Sequence, residues 1–365
     1  MVRPIITYLK DFFAFHRLVG KDHQLLGLAK VDHQLQQLIT CKKVPGLAIS
    51  VLKNGQCIFQ KGYGYADLSK KTSIHPETTV FRIASVSKPI AATALAHMVA
   101  DGLLDLDTSF YHYVPYYPKK KWDFTIRQLA SHTAGIRGYL GKEYGLNTPF
   151  TIKESIAIFK DDPLLFEPGT DYHYNSYDWV LISLAMQEVS GILFEDYVKQ
   201  KVLQPLHLEN IVAANKNGIE ILDKHQLRLA TFYSKCPIGF RQSIPVNNFY
   251  KLAGGGYLAT ASDIAKFGQA YLDKRILNNE VLHQFLTSQV IGSQPTYYGL
   301  GWQVSTDKNG RPYYGHIGNG VGGYANFFIY PEQEIVIAIL VNCTHPNIQN
   351  ELDEVVDTLL AEAKF

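Results

Sequence analysis

Ser85 and Lys88, three residues apart in Ser85-Val86-Ser87-Lys88-Pro89, are the residue types that a nucleophile and its base require. A serine hydroxyl attacks a carbonyl only when a base takes its proton. A lysine becomes that base when desolvation or nearby positive charge lowers its pKa. The apolar periodicity that follows predicts a helix from Ser85 to Asp101, stopped by Gly102, with Pro89 in its first turn where proline is tolerated. Residues i and i+3 share a helix face, so the two side chains can meet. The Ser85 backbone N–H would be free at such a terminus to stabilise an oxyanion. The spacing alone is weak. Ser305-Thr306-Asp307-Lys308 matches it equally, but runs into the Asn309-Gly310 turn, where a lysine is simply exposed. An N-capping serine beside a surface lysine is the alternative reading of Ser85 and Lys88 themselves.

Two further stretches carry chemistry. Tyr172-His173-Tyr174-Asn175-Ser176 precedes a helix, and Tyr174 could relay a proton between Ser85 and a leaving group if a nearby cation keeps it partly ionised. Gly315-His316-Ile317-Gly318-Asn319-Gly320 closes a strand-like run. There His316 could bind or polarise a substrate, Gly318 would let a substrate backbone lie close, and the Asn319 N–H could be a second oxyanion donor. A tyrosine-rich turn and a core histidine are the plainer readings. Gly318, Gly320 and Gly323 also fit G-x-G-x-x-G, but no helix follows and there is no βαβ context. The chain has no G-x-S-x-G elbow and no H-E-x-x-H. No metal or organic cofactor is expected.

The elements that would position these residues are legible in outline. Lys30 to Ile39 reads as an amphipathic helix. Gly46 to Lys53 and Gln56 to Lys61 read as strands joined by an Asn54-Gly55 type I′ turn. Near the other end, Trp302 to Thr306, Tyr313 to His316, Phe327 to Tyr330 and Ile335 to Val341 read as strands, and Glu351 to Lys364 as a helix. Roughly residues 85 to 290 read as mostly helical. Strands at both ends and helices between predict an α/β fold of the α+β kind: one antiparallel sheet built from both termini, flanked by helices, with a helical subdomain. The expected divisions are an N-terminal helical extension over 1–43, a catalytic domain over 44–345 with the subdomain at about 105–290, and a C-terminal helix over 346–365 packing on the sheet.

Composition narrows the function. The 365 residues are 46% hydrophobic, enough for a large core, and the formal net charge is +2. No concentrated basic stripe exists, so no nucleic-acid partner is expected. The four cysteines, Cys41, Cys57, Cys236 and Cys343, form no CxxC pair. No apolar run is long enough to span a membrane. The opening MVRPIITYLKDFFAFHRL is a poor signal peptide, because Lys10 and Asp11 interrupt its apolar segment. Ile5, Leu9, Phe12 and Phe13 recur at helical spacing, either as a helix packed on the body or as a peripheral membrane contact. The compartment stays open between the cytoplasm and a trimmed exported form, and the oligomeric state stays open as well.

The three chemical stretches, in this order, resemble the serine β-lactamase-like family, which includes class C β-lactamases, low-molecular-weight penicillin-binding proteins, related esterases and mitochondrial lactamase-like serine proteases. The family's S-x-x-K, Y-x-N and K-T-G or H-x-G correspond to Ser85-Val86-Ser87-Lys88, Tyr174-Asn175-Ser176 and His316-Ile317-Gly318. Four more stretches strengthen the likeness: Thr125 to Ile136, Phe166-Glu167-Pro168-Gly169, Gly254 to Thr260 with Asp263, and Tyr298-Gly299-Leu300-Gly301-Trp302. The resemblance covers roughly residues 44 to 345. In Arg82 to Lys88 and Asp161 to Gly169 it is strongest to the mitochondrial lactamase-like proteases and their bacterial relatives.

The resemblance implies a β-lactamase/transpeptidase-like fold with the active site between sheet and helical subdomain. It implies Ser85, Lys88 and Tyr174 as catalytic residues, Ser85 and Asn319 as the oxyanion hole, and Ser176, His316 and Gly318 as substrate-binding positions. Two departures bear on the substrate. Ser176 stands where β-lactamases usually have an asparagine that contacts the substrate amide and the lysine. His316 stands where the K-T-G lysine would meet a β-lactam carboxylate, and a histidine is largely neutral at pH 7. Both favour a peptidase or esterase, acting on a small-molecule or peptide substrate, over a β-lactamase or D,D-peptidase. A non-catalytic binding or assembly role is the third reading.

Overall fold

The computed structural model describes residues 25–214, 222, 225–277 and 279–362. The helix expected around Ile5 to Phe13 lies outside the described residues. Helix α1 (Gly27–Thr40) leads into strands β1 (Gly46–Lys53), β2 (Gln56–Asp67) and β3 (Thr72–Ser73). Positive φ at both Asn54 and Gly55 is the type I′ signature that the sequence predicts for the β1–β2 turn. The later strands are β4 (Gln303–Thr306), β5 (Pro312–Gly320), β6 (Gly323–Tyr330) and β7 (Ile335–Val341). Together they make one seven-stranded sheet in the order β4-β5-β6-β7-β1-β2-β3, with every neighbouring pair antiparallel. The two ends of the chain meet at its centre, where Ile49 pairs with Ile339 and Val51 with Ile337.

The period-two alternation of β1 and β7 serves two cores. Ile335, Ile337, Ile339 and Val341 face one side with Leu47, Ile49 and Val51. They pack there against Val31, Leu35 and Leu38 of α1 and Leu352, Val355 and Leu359 of the last helix, Gln349–Glu362. Val336, Ala338 and Leu340 face the other side with Ala48 and Leu52, and meet the helical part of the chain. A central strand buried on both faces explains why Ile335–Val341 is apolar throughout.

Helix α2 (Ser87–Ala100) runs through the middle of this second core. Every residue from Ser87 to Ala96 is buried, as expected of a helix surrounded by protein. Helices α3 (Ile126–Ala130), α4 (Tyr177–Ser190) and α5 (Ala261–Leu272) pack around it.

One expectation needs correction. Ser85 is not the first residue of the α-helix; it sits in a 3-10 turn, Ala84–Val86, that runs directly into α2. The middle of the chain, mostly helical as expected, also holds short strands that the sequence reading did not place. Ile211–Ala213 and Tyr257–Ala259 pair with each other and with Thr79–Arg82, which also pairs with Arg228–Leu229, in a four-stranded sheet. Tyr233–Lys235, Phe240–Gln242 and Cys343–Thr344 form a further small sheet.

Candidate active site

The turn Ala84–Val86 carries Ser85 to the junction of α2, the strand β5 and the glycine-rich segment Leu252–Gly256. Ala84 takes a positive φ of 45°, a strained conformation for a residue with a Cβ. Lys88, on the first turn of α2, is 0% exposed. Its Nζ lies 3.0 Å from Ser85 Oγ, 2.8 Å from Tyr174 Oη and 2.8 Å from the Gly254 carbonyl. Three partners match the three hydrogens of an ammonium. When neutral, the amine keeps two N–H groups and turns a lone pair to one of the two hydroxyls. Burial lowers its pKa to about 7, with the Asp178 carboxyl opposing and Lys251 adding to the effect.

Tyr174 is 39% exposed as a whole residue, but its hydroxyl is turned onto the buried amine. Burial pushes that hydroxyl well above the usual phenol range, and a hydrogen bond with Ser85 opposes the shift only in part. This burial opposes the partial ionisation on which the sequence reading made a Tyr174 relay conditional. The same desolvation that frees Lys88 of its proton keeps the phenol neutral.

His316 is brought to the cluster but is only 1% exposed. Its Nδ1 donates to the Ile317 carbonyl at 2.7 Å, which leaves Nε2 to accept from the Tyr298 hydroxyl at 3.0 Å. Burial lowers its pKa to about 3, and the Lys88 charge pushes the same way. With both nitrogens occupied, the imidazole reaches Tyr298 and lies 5.9 Å, centroid to centroid, from the Tyr174 ring. It presents no free nitrogen to a substrate.

Gly318 is placed by necessity. A Cβ there would lie 2.2 Å from the Ile83 carbonyl oxygen and 3.2 Å from the Ser85 nitrogen. Only glycine lets β5 lie this close to the nucleophile's backbone. Asn319, the next residue, lines the same open cleft as Ser85 and Ser176, a space of about 410 Å³. Ser176 is not among the partners of Lys88. That place is taken by the carbonyl of Gly254, which approaches so closely that a Cβ on it would lie 2.9 Å from the Ser176 oxygen. Ser305 and Lys308 stand apart, with Lys308 exposed and paired to Asp357.

Several residues of the cluster carry no role in the sequence reading. His132 and Asp178 form a fully buried pair, Nδ1 to Oδ2 at 2.7 Å, and Asn175 donates to the same Oδ2 at 2.7 Å. Burial raises the Asp178 carboxyl and lowers the His132 imidazole, the latter pushed further by Lys88. The His132 ring packs edge-on to Tyr174 at 4.6 Å and against Tyr298 at 4.9 Å, so it walls the phenol in. His132 and Tyr298 both lie in stretches that carry the family likeness, which is the signal that marks them. Asp178, at the start of α4, reads as an ordinary acidic residue at a helix N-terminus. A backbone acceptor such as the Gly254 carbonyl leaves no trace in a side-chain pattern.

The chain has recognisable relatives. A family model described as Beta-lactamase matches residues 31–362. The human protein named serine beta-lactamase-like protein LACTB, mitochondrial, is 26% identical over 392 residues, which cover 79% of this chain and 69% of that protein. Protein flp of Staphylococcus aureus (strain MRSA252) is 25% identical over 86% of this chain and 61% of its own length. The octameric penicillin-binding protein homologue from Pyrococcus abyssi superposes with a TM-score of 0.79 at 26% identity, over 92% of this chain and 77% of that one. D-amino acid amidase from Ochrobactrum anthropi SV3 reaches the same TM-score at 20% identity, over 92% and 98% of the two chains, a likeness of fold.

Proposed function

The chain belongs to the β-lactamase family, and on that premise we propose that it is a serine hydrolase that cleaves an ester or amide through an acyl-enzyme on Ser85. The observation that carries this reading is the fully buried Lys88 amine, 3.0 Å from Ser85 Oγ and lowered to about 7. A base is most useful when its pKa lies near the working pH.

In the proposed sequence, neutral Lys88 gives one N–H to the Gly254 carbonyl and takes the Ser85 proton on its lone pair. Ser85 Oγ bonds to the substrate carbonyl carbon. The N–H groups of Ser85 and Asn319 hold the oxyanion. As the bond to the leaving group breaks, Tyr174 gives that group its proton and recovers one from Lys88. Water then attacks the acyl carbon, its proton passing to Lys88. The Ser85–acyl bond breaks, and the proton returns to Ser85. His316, through Tyr298, and the His132–Asp178 pair act as positioning groups for Tyr174. Ser176 borders the substrate, whereas Gly318, expected to do so, packs against Ile83 and Ser85 and sets the position of Asn319.

Among hydrolase substrates, an ester or peptide-like amide is favoured over a β-lactam. The neutral, buried His316 offers no cation at the strand position where a β-lactam carboxylate would need one. The test is labelling with a neutral fluorophosphonate, located by mass spectrometry. Alongside it, turnover of p-nitrophenyl esters, D- and L-amino-acid amides and nitrocefin is compared between wild type and Ser85→Ala. The label is expected on Ser85, ester or amide turnover is expected to exceed nitrocefin turnover, and Ser85→Ala is expected to lose at least about 10³-fold. A label on Ser305, or equal turnover by Ser85→Ala, refutes the scheme, and neither label nor turnover in the folded wild type supports a non-catalytic role.

A further inference from the structure

Two cationic side chains in the cleft have no task in the reaction above. Lys251 and Arg82 line it together with Ser85, Tyr139 and Tyr144. Lys251 is 7% exposed. Its Nζ lies 4.7 Å from the centroid of the Tyr139 ring, 5.6 Å from that of Tyr250 and 5.9 Å from that of Tyr144. Its polar contact is the Tyr144 carbonyl at 3.5 Å, the outer limit of a hydrogen bond. Arg82 spends one N–H on the Val321 carbonyl at 2.8 Å and lies over the Phe232 ring at 4.1 Å. Among the described residues, no carboxylate forms an ion pair with either. Glu143, on the loop beside Tyr144, is already held by Arg137 at 2.7 Å and by Tyr177 at 3.0 Å.

Burying a cation without a counter-charge is expensive, and a second cation nearby raises the cost. Burial, with Arg82 adding to it, holds the Lys251 amine down at about 8. Aromatic faces recover only part of that cost. An entering anion would recover the rest. The leaving group must sit against the Tyr174 hydroxyl, yet Tyr174 is not part of the wall that carries Lys251 and Arg82. Ser85 lines the same wall, so an acyl group bonded to it can reach along that wall toward the two cations.

We propose that Lys251 and Arg82 form an anion subsite for the acyl group, so that the preferred substrates are esters or amides of an acid bearing a second carboxylate. This rests on Ser85 being the acylated residue. Tyr139 and Tyr144 add aromatic surface to the same cleft.

The test compares p-nitrophenyl hydrogen glutarate with p-nitrophenyl pentanoate, which lacks the carboxylate. Wild type is expected to show the higher kcat/KM for the glutarate ester. Lys251→Met is expected to lower the glutarate-to-pentanoate ratio by about 10- to 100-fold, the scale of one charge-assisted hydrogen bond. Lys251→Arg is expected to restore part of it. Lys199→Met, which removes an exposed charge elsewhere, should leave the ratio unchanged. A ratio near one in wild type, or the same ratio in Lys251→Met, overturns the proposal. Calorimetric binding of glutarate to Ser85→Ala, with and without Lys251→Met, needs no turnover. Saturable binding lost with Lys251 supports the subsite, and equal or absent binding overturns it. If neither ester is hydrolysed by wild type, the catalytic reading fails, and the calorimetry still decides the subsite.

Discussion

Replacing Lys88 by methionine keeps the length of the side chain and removes the amine, and its effect on stability should change sign with pH. The folded protein lowers this amine from 10.5 to about 7. A difference of about 3.5 units corresponds to about 5 kcal/mol. The direction follows from proton linkage. Between pH 7 and 10.5 the unfolded chain holds a proton on Lys88 that the folded chain has released, so stability rises with pH across that window. Below pH 7 the full penalty applies. Methionine abolishes the penalty but leaves the Gly254 carbonyl without its N–H, which costs about 1–3 kcal/mol. Lys88→Met should therefore be more stable than wild type by about 2–4 kcal/mol at pH 6, and slightly less stable at pH 10. The difference between the two proteins should swing by about 4 kcal/mol. Urea titrations of both at pH 6, 8 and 10 measure it, and groups outside the cluster cancel in the comparison. The variant should be inactive throughout, whereas wild-type kcat/KM should rise with pH through a midpoint near 7 as the amine loses its proton. A swing below about 1 kcal/mol would mean that Lys88 is not depressed, and the assignment of the base would fall with it.

Gly318→Ala should lower kcat/KM about 100-fold or more, because the new methyl drives β5 away from Ile83 and Ser85; activity within twofold of wild type would refute the close approach. Asp178→Ala should cost about 1–3 kcal/mol in denaturant unfolding by leaving His132 Nδ1 without its buried partner, and a loss under about 0.5 kcal/mol would show the pair to be dispensable.

The parts of this protein that were legible in the sequence are those set by neighbours along the chain. β1 and β7 could be bounded to the residue because an Asn-Gly turn and an unbroken apolar run are local signals. Ser85 and Lys88 could be paired because one helical turn joins them. The small sheets escaped because Ile211–Ala213 and Tyr257–Ala259 are too short to show alternation, and their pairing is fixed by distant partners. Lys251 and the Gly254 carbonyl escaped for the same reason: folding carries them to Lys88 across more than 160 residues. Tyr174 was located, but its charge was left conditional on a nearby cation. A nearby cation and desolvation push a phenol in opposite directions, and only the fold reveals that desolvation wins.

Pairing β1 with β7 also governs when the cluster around Ser85 can assemble during synthesis. The N-terminal hairpin emerges from the ribosome early, with one long edge of β1 open, and waits for a strand nearly 300 residues downstream. Until Ile335–Val341 arrives, β5 and β6 have no scaffold to hold Gly318 and Asn319 against the nucleophile. A nascent chain thus exposes an apolar strand edge until β7 is made, the kind of surface on which holding chaperones act, and the Ser85–Lys88 cluster gains its β5 wall only afterwards.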